Sequence, residues 1–377
     1  MRNHQEPTNC GPAFRPDFVR IAIGLAVLVL FLMPSAALIA GDASDNDAQP
    51  VFRSADRRPQ HDDAKLKELG IASFESKRLK LYTDVAAEKI HSLLPAVDAA
   101  YDALVEYFGP LPPNPKRTEF QITGYLMADR ALFRRSGLLP DDLPLFLNGR
   151  HRDQEFWVNE QDTEYYRRHL AIHEFTHCFM FCDPYVHIPR WYMEGMAELF
   201  GTHRIDANGR YEFRVMPDRP ENFDGLGRIP LVRSEIAHGH WKSLEDLDRL
   251  TPEEFLNNTA YAWSWAVCAF LDGHPRYSRR FRELGKHTLG NEFELERRRL
   301  FTPDLAELRT EWALFTHQLQ FGFDLSRAAI DFEAGTPLGP GESRQALGVT
   351  GNRGWQSSGI AVTQGRKYEI TASGEVT

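Results

Sequence analysis

His173-Glu174-Phe175-Thr176-His177, followed by Trp191-Tyr192-Met193-Glu194-Gly195-Met196-Ala197-Glu198, decides the fold of this chain. At 3.6 residues per turn, histidines four apart lie one above the other on a single helical face, so two imidazole nitrogens can reach one metal ion. Glu174 is turned about 100° from His173, which sets its carboxylate beside the metal rather than on it. That is the place for a general base. Zinc lowers the pKa of a bound water towards about 7, and a neighbouring carboxylate can take the proton as the water attacks a carbonyl polarised by the same ion.

A catalytic zinc takes three protein ligands and keeps one position open, so a third ligand is needed. Asp183-Pro184 stops the first helix, because proline disfavours helix at the residue before it. A short loop through Pro189 and Arg190 leads into a second helix, about Trp191 to His203. Glu194 and Glu198 share one face of it. Glu194 is the expected third ligand, and Glu198, one turn on, is placed to accept the outer N–H of a ligating histidine and hold its ring.

These two clusters resemble the gluzincins, zinc peptidases in which HExxH is followed after a modest interval by a glutamate on the next helix. Trp191 with Glu194-Gly195-Met196-Ala197-Glu198 looks like the signature of aminopeptidase N-like and peptidase-MA-like members, and Glu198 falls where thermolysin-like relatives carry an acid behind the metal ligands. The resemblance covers about forty residues. It implies an α+β, zincin-like metallopeptidase domain with a mixed sheet and an active-site helix, and hydrolysis of peptide bonds. No Gly-x-Met-Glu-Asn segment for a substrate amino terminus is present, so exopeptidase action is not implied. The metzincin pattern fails, since Met180 and Asp183 stand where glycine and histidine would be required. His187 is a competing ligand in a loop without a matching pattern. A purely structural zinc is disfavoured, because such sites are closed by four Cys or His ligands.

Working outward, residues 1–40 carry Arg2, Arg15 and Arg20, an uncharged apolar core and the small residues Pro34-Ser35-Ala36-Ala37. This reads as a signal peptide, with an uncleaved membrane anchor as the alternative, and in either case the remainder is exported. Residues 41–66 have the composition of a flexible linker. The catalytic domain is expected over 67–325. Length (377 residues) and an apolar fraction of 42% suffice for a buried core, and a formal charge of -9 argues against a nucleic-acid surface. Cys178, Cys182 and Cys268 read as small buried apolar side chains.

Within that domain a strand is expected from Phe74 to Thr83, an amphipathic helix from Val85 to Phe108 ended by Gly109, and a strand in Thr118 to Met127. Glu155 to Asn159 reads as a strand directly before the metal-binding helix. By the resemblance it would be the sheet edge that pairs with extended substrate, with Trp157 as a substrate-binding residue; an ordinary core strand is the alternative. The metal-binding helix should start at Asp162 or Thr163, and His169 is given no metal role. Residues 205–230 read as a loop, either flap or surface. A mainly helical half follows. There the resemblance asks for a donor to the oxyanion, for which Tyr261 is the candidate, with His238 and His240 behind it. Residues 326–377 read as a β segment with strands at Gly359 to Thr363 and Lys367 to Thr371, either the start of a β-sandwich module contacting glycan or protein, or an extra hairpin on the catalytic domain. The expectation is thus one Zn2+, a peptide or protein substrate and a possible membrane tether. The rival reading is a catalytically inactive binding or scaffold protein on the same fold.

Overall fold

The computed structural model describes residues 52–182, 188–288, 292–345 and 348–374. The leader expected over 1–40, the start of the linker and His187 lie outside the described residues. Among those described, no helix is long and apolar enough to cross a membrane.

The first half is built on a sheet. Helix α1 (Asp63–Glu68) leads into β1 (Ala72–Glu75) and β2 (Leu79–Thr83), a hairpin where one strand was expected. The long helix expected next is two, α2 (Ala87–Ile90) and α3 (Leu93–Phe108). Pro95 is the reason: in a continuous helix its ring would strike the carbonyl of His91, so the chain breaks there and Pro95 sits in the first turn of α3, where a missing N–H costs nothing. Gly109, at φ 92°, ends α3 as expected. Then come β3 (Ile122–Met127), α4 (Arg130–Arg135), β4 (Gly149–Arg152) and β5 (Glu155–Asn159).

The strand order is β1-β2-β3-β5-β4, with β2, β3 and β5 parallel and the two outer strands antiparallel to their neighbours. Successive side chains of a strand point to opposite faces. One face, with Leu79, Leu81, Ile122, Leu126, Phe156 and Val158, packs against helices in the main core. The other, with Tyr82, Tyr125, Met127 and Trp157, joins Phe133, Leu138 and Leu139 in a second, smaller core.

Helix α5 (Glu164–Met180) lies on the first face beside β4 and β5, flanked by α3 and by α6 (Arg190–Gly201). Thr163 caps it, accepting from the Tyr166 N–H at 3.1 Å. From Arg167 onward every residue of α5 is buried. A helix enclosed on all sides must pair its polar groups internally, and this one carries three histidines and a glutamate.

The second half is helical. After β6 (His203–Ile205) and β7 (Tyr211–Phe213) come α7 (Arg228–Ala237), α8 (Leu244–Asp248), α9 (Asn258–Gly273), α10 (Ser278–Gly285), α11 (Phe293–Phe301), α12 (Leu305–Gln318) and α13 (Leu325–Ala328). Helix α9 is central, packing on α6, α7, α10 and α12, with Trp263 and Trp265 wholly buried. The whole is a mixed α+β chain with one five-stranded sheet and many helices.

Two segments differ from their compositional reading. Residues 53–61, assigned to a flexible linker, run along the sheet: the Arg53 N–H donates to the Pro113 carbonyl at 3.2 Å, the Arg57 N–H to Gln154 at 3.0 Å, and His61 meets the Tyr125 hydroxyl at 2.7 Å. The hairpin expected around Gln364-Gly365 is replaced by a short parallel pair, β8 (Thr336–Pro337) with β9 (Ile360–Ala361). Residues 367–371 are in no strand, and Val362 and Ile370 are exposed, so no second layer covers the apolar alternation that suggested them.

Candidate metal centre

Helices α5 and α6 bring three donor atoms together. Nε2 of His177 lies 3.0 Å from Nε2 of His173 and 3.1 Å from Oε2 of Glu194, and the third side of the triangle, His173 to Glu194, is 3.4 Å. Tetrahedral ligands about 2.1 Å from an ion stand about 3.4 Å apart, so the triangle has the size of a small metal ion's ligand set. All three side chains are buried. Gly195 sets the depth of Glu194. A Cβ there would lie 2.4 Å from the Ser264 carbonyl oxygen and 2.5 Å from Cys268 Sγ on α9, so only glycine lets the two helices close at this point. Trp191 fixes the head of α6, its Nε1–H donating to Asp248 at 2.7 Å.

The electrostatics call for a cation. Glu174, Glu194 and Glu198 are all buried, and the guanidinium of Arg228, also buried, meets one of them: its Nε and Nη2 donate to the two oxygens of Glu198, each at 2.7 Å. Three carboxylates thus gather around one guanidinium, an environment that favours further positive charge. Burial opposes charge on His173, but Glu194 and Glu198 more than offset it and its pKa is pushed up to about 10. Burial likewise opposes charge on Glu194, yet His177 and His173 hold it well below the usual carboxylate range. Burial pushes His177 down. A proton on His173 thus stands where the chemistry of the donor set would place a metal.

Behind the donors, Oε1 of Glu198 lies 3.3 Å from Nδ1 of His173, the relation expected of a residue that orients a ligand ring. Glu198 is held well below the usual carboxylate range: burial opposes this, and Arg228 and His169 more than offset it. The Glu174 carboxylate lies between His177 and β4, its donor oxygen within 4.8 Å of the donor atoms of His151 and His177. A Cβ on Gly149 would fall 2.4 Å from its Oε1, and Nδ1 of His151 is 3.5 Å from its Oε2. The His151 ring stacks on that of His177, centroids 4.4 Å apart.

Tyr261, in the first turn of α9, comes to the cluster, its ring 6.1 Å from that of His173 and braced edge-on by Phe255 at 5.2 Å. Burial, with Glu194 and Glu174 adding to it, pushes its hydroxyl well above the ordinary tyrosine range, so it remains a hydrogen-bond donor. His238 and His240 are exposed at the end of α7, His238 against the Ser234 carbonyl at 2.8 Å, and are not brought to the centre.

Trp157 requires a correction. Strand β5 lies inside the sheet, between β3 and β4, so the outer strand beside α5 is β4. Phe156 and Val158 face α5, which turns Trp157 to the opposite face, where it stacks on Tyr125 at 5.3 Å and donates to the Leu138 carbonyl at 2.7 Å. It belongs to the second core. His169 is wholly buried, with Nε2 3.3 Å from Oε2 of Glu198.

Neither His151 nor Arg228 was singled out by sequence. His151 sits in Gly-Arg-His-Arg, a strand without apolar alternation, and Arg228 ends a charged, proline-rich run. Comparison with protein-family models and with curated proteins finds no match to this chain.

Proposed function

We propose that this chain is a zinc-dependent peptidase of the gluzincin type on a zincin-like fold, acting outside the cytoplasm. The observation that carries the proposal is the triangle of His173, His177 and Glu194 donor atoms, 3.0 to 3.4 Å on a side and buried among carboxylates, with Glu174 beside it.

A zinc ion bound by these three residues would polarise a carbonyl and bring the pKa of water towards about 7. Glu174, one residue from His173 and uninvolved in the triangle, accepts the proton and passes it to the leaving amine. Tyr261 donates its hydroxyl hydrogen to the developing oxyanion. Glu198 holds His173 by Nδ1, so that Nε2 stays aimed at the metal. The outer edge of β4, next to Glu174, is where an extended substrate can pair through its backbone, which binds a peptide without demanding a particular side chain. The leader directs export or a membrane tether, and the segment from 326 onward is available for contact with glycan or protein.

The deciding experiment measures zinc per chain in the protein lacking its leader, beside Glu194→Ala and Glu174→Gln. One zinc in the parent, a large loss in Glu194→Ala, and retained zinc with lost chelator-sensitive hydrolysis of mixed peptides in Glu174→Gln are the expected results. A folded parent that takes up no zinc sinks the proposal.

A further inference from the structure

Three donor sets overlap at this centre: His151, Glu174 and His177 form one that shares His177, and the other two share His173. Of those two, His173, His177 and Glu194 form the first and His169, His173 and Glu198 the second, and in each set the donor atoms lie within 4.8 Å of one another. His173 presents Nε2 to the first and Nδ1 to the second. Nothing in the proposed mechanism uses His169. It is wholly buried, it fills the space that a Cβ on Gly201 would enter at 2.8 Å, its Nε2 stands 3.3 Å from Oε2 of Glu198, and its Nδ1 makes no hydrogen bond among the described residues. A buried imidazole with one nitrogen unpaired and the other beside a buried carboxylate has the chemistry of a metal ligand.

What distinguishes the two sets that share His173 is Arg228. It grips both oxygens of Glu198, and its charge cannot be shed at any ordinary pH. Among the described residues no arginine or lysine pairs with Glu194. The chain takes care to deliver it. Gly225 and Gly227 adopt φ +86° and +62°, a left-handed turn that other residues resist, and the Asp224 carbonyl just before accepts from the Thr163 hydroxyl at the head of α5 at 3.0 Å. Residues 205–227 thereby end with Arg228 under the metal centre. An ion on Glu198 would meet a like charge at contact distance in an interior that screens weakly.

We propose that Arg228 is a built-in cation that closes the His169, His173 and Glu198 donor set and so keeps the metal off Glu198 and on the His177 side of His173. This rests on the metal-centre reading given above. It makes Arg228 a positioning residue for the metal, acting through Glu198.

The test follows zinc binding by equilibrium dialysis, with far-ultraviolet circular dichroism to confirm folding. In the chain with Arg228 intact, His177→Ala should weaken zinc on the order of a hundredfold or more, whereas His169→Ala should leave the affinity within about threefold. His177→Ala combined with Arg228→Gln should regain zinc, and adding His169→Ala should remove it again; Arg228→Lys, which keeps the charge, should not restore binding to His177→Ala. Breaking a buried ion pair can unfold a protein, and the His169→Ala comparison needs no change at Arg228. Zinc lost in His169→Ala, or a folded His177→Ala, Arg228→Gln chain that binds no better than His177→Ala alone, overturns the proposal. A parent that binds no zinc overturns the metal-centre reading instead.

Discussion

A single added carbon at Gly149 tests the placement of the proposed general base, Glu174, more sharply than removing that base does. Gly149 pairs with Val158 in ordinary strand conformation, so alanine introduces no backbone strain. Its Cβ would lie 2.4 Å from Oε1 of Glu174 and 3.0 Å from Cδ and Cγ. Ordinary contact begins near 3.4 Å, so the carboxylate must withdraw by about 1 Å, and a displacement of that size in a catalytic group costs about 10²-fold in rate, or about 2.7 kcal/mol. The strand itself should tolerate the change within about 1 kcal/mol, because only the end of a flexible side chain is in the way. Zinc content, melting temperature and kcat/KM on a chelator-sensitive peptide substrate should be measured together for Gly149→Ala. The expected result is parental zinc, a nearly parental melting temperature and a hundredfold loss of kcat/KM. Parental activity would refute the idea that β4 holds Glu174 in its working position, and loss of zinc along with activity would show that the metal ligands had moved instead.

Three further predictions follow from the same geometry. Tyr261→Phe should lower kcat on the order of 10²- to 10³-fold with KM and zinc content little changed; a change confined to KM would make it a binding residue. Trp157→Ala should destabilise the fold by about 3–5 kcal/mol without altering zinc affinity, since it lies on the far side of the sheet; weaker zinc in the folded variant would place it at the centre after all. Burial pushes His203 from an ordinary 6.5 down to about 3, and its Nε2 accepts from Arg168 while Nδ1 donates to the Gly201 carbonyl. Below pH 6.5 the unfolded chain binds a proton that the folded chain refuses, so stability should fall as pH drops from 6.5 towards 3, by up to about 1.4 kcal/mol per pH unit. Denaturant titrations of the parent and His203→Gln across that range check this, and an identical pH slope in both would remove His203 as the cause.

The candidate metal centre was legible because its residues lie on two neighbouring helices, where spacing fixes direction: His173 and His177 four apart, Glu194 and Glu198 four apart. What faces a helix from elsewhere has no such rule. His151 reaches Glu174 from an edge strand whose residues show no apolar alternation, and Arg228 comes from a turn set by two left-handed glycines. Trp157 shows a different limit. The strand at Glu155 to Asn159 was found with its bounds, and alternation put Trp157 opposite Phe156 and Val158, but which of the two faces met α5 depended on how the sheet was ordered. The break before α3 was readable in principle, since Pro95 forbids one continuous helix, whereas the missing hairpin near the carboxy terminus had its alternation but no layer to pack against.

Cys178 follows His177 on α5, and Cys268 lies under Gly195 on α9; both are wholly buried, and burial pushes both thiols well above the ordinary range. Each is therefore silent to a thiol reagent until its own helix swings away from its neighbours. The labelling rate, followed peptide by peptide, is a clock for how often the two helices open, and it runs without knowledge of any substrate. Zinc held between α5 and α6 should slow the clock at Cys178 by the factor one plus the ratio of free zinc to its dissociation constant. The same openings would set how quickly an ion bound there leaks away, so the chain's own thiols would time the residence of the proposed metal.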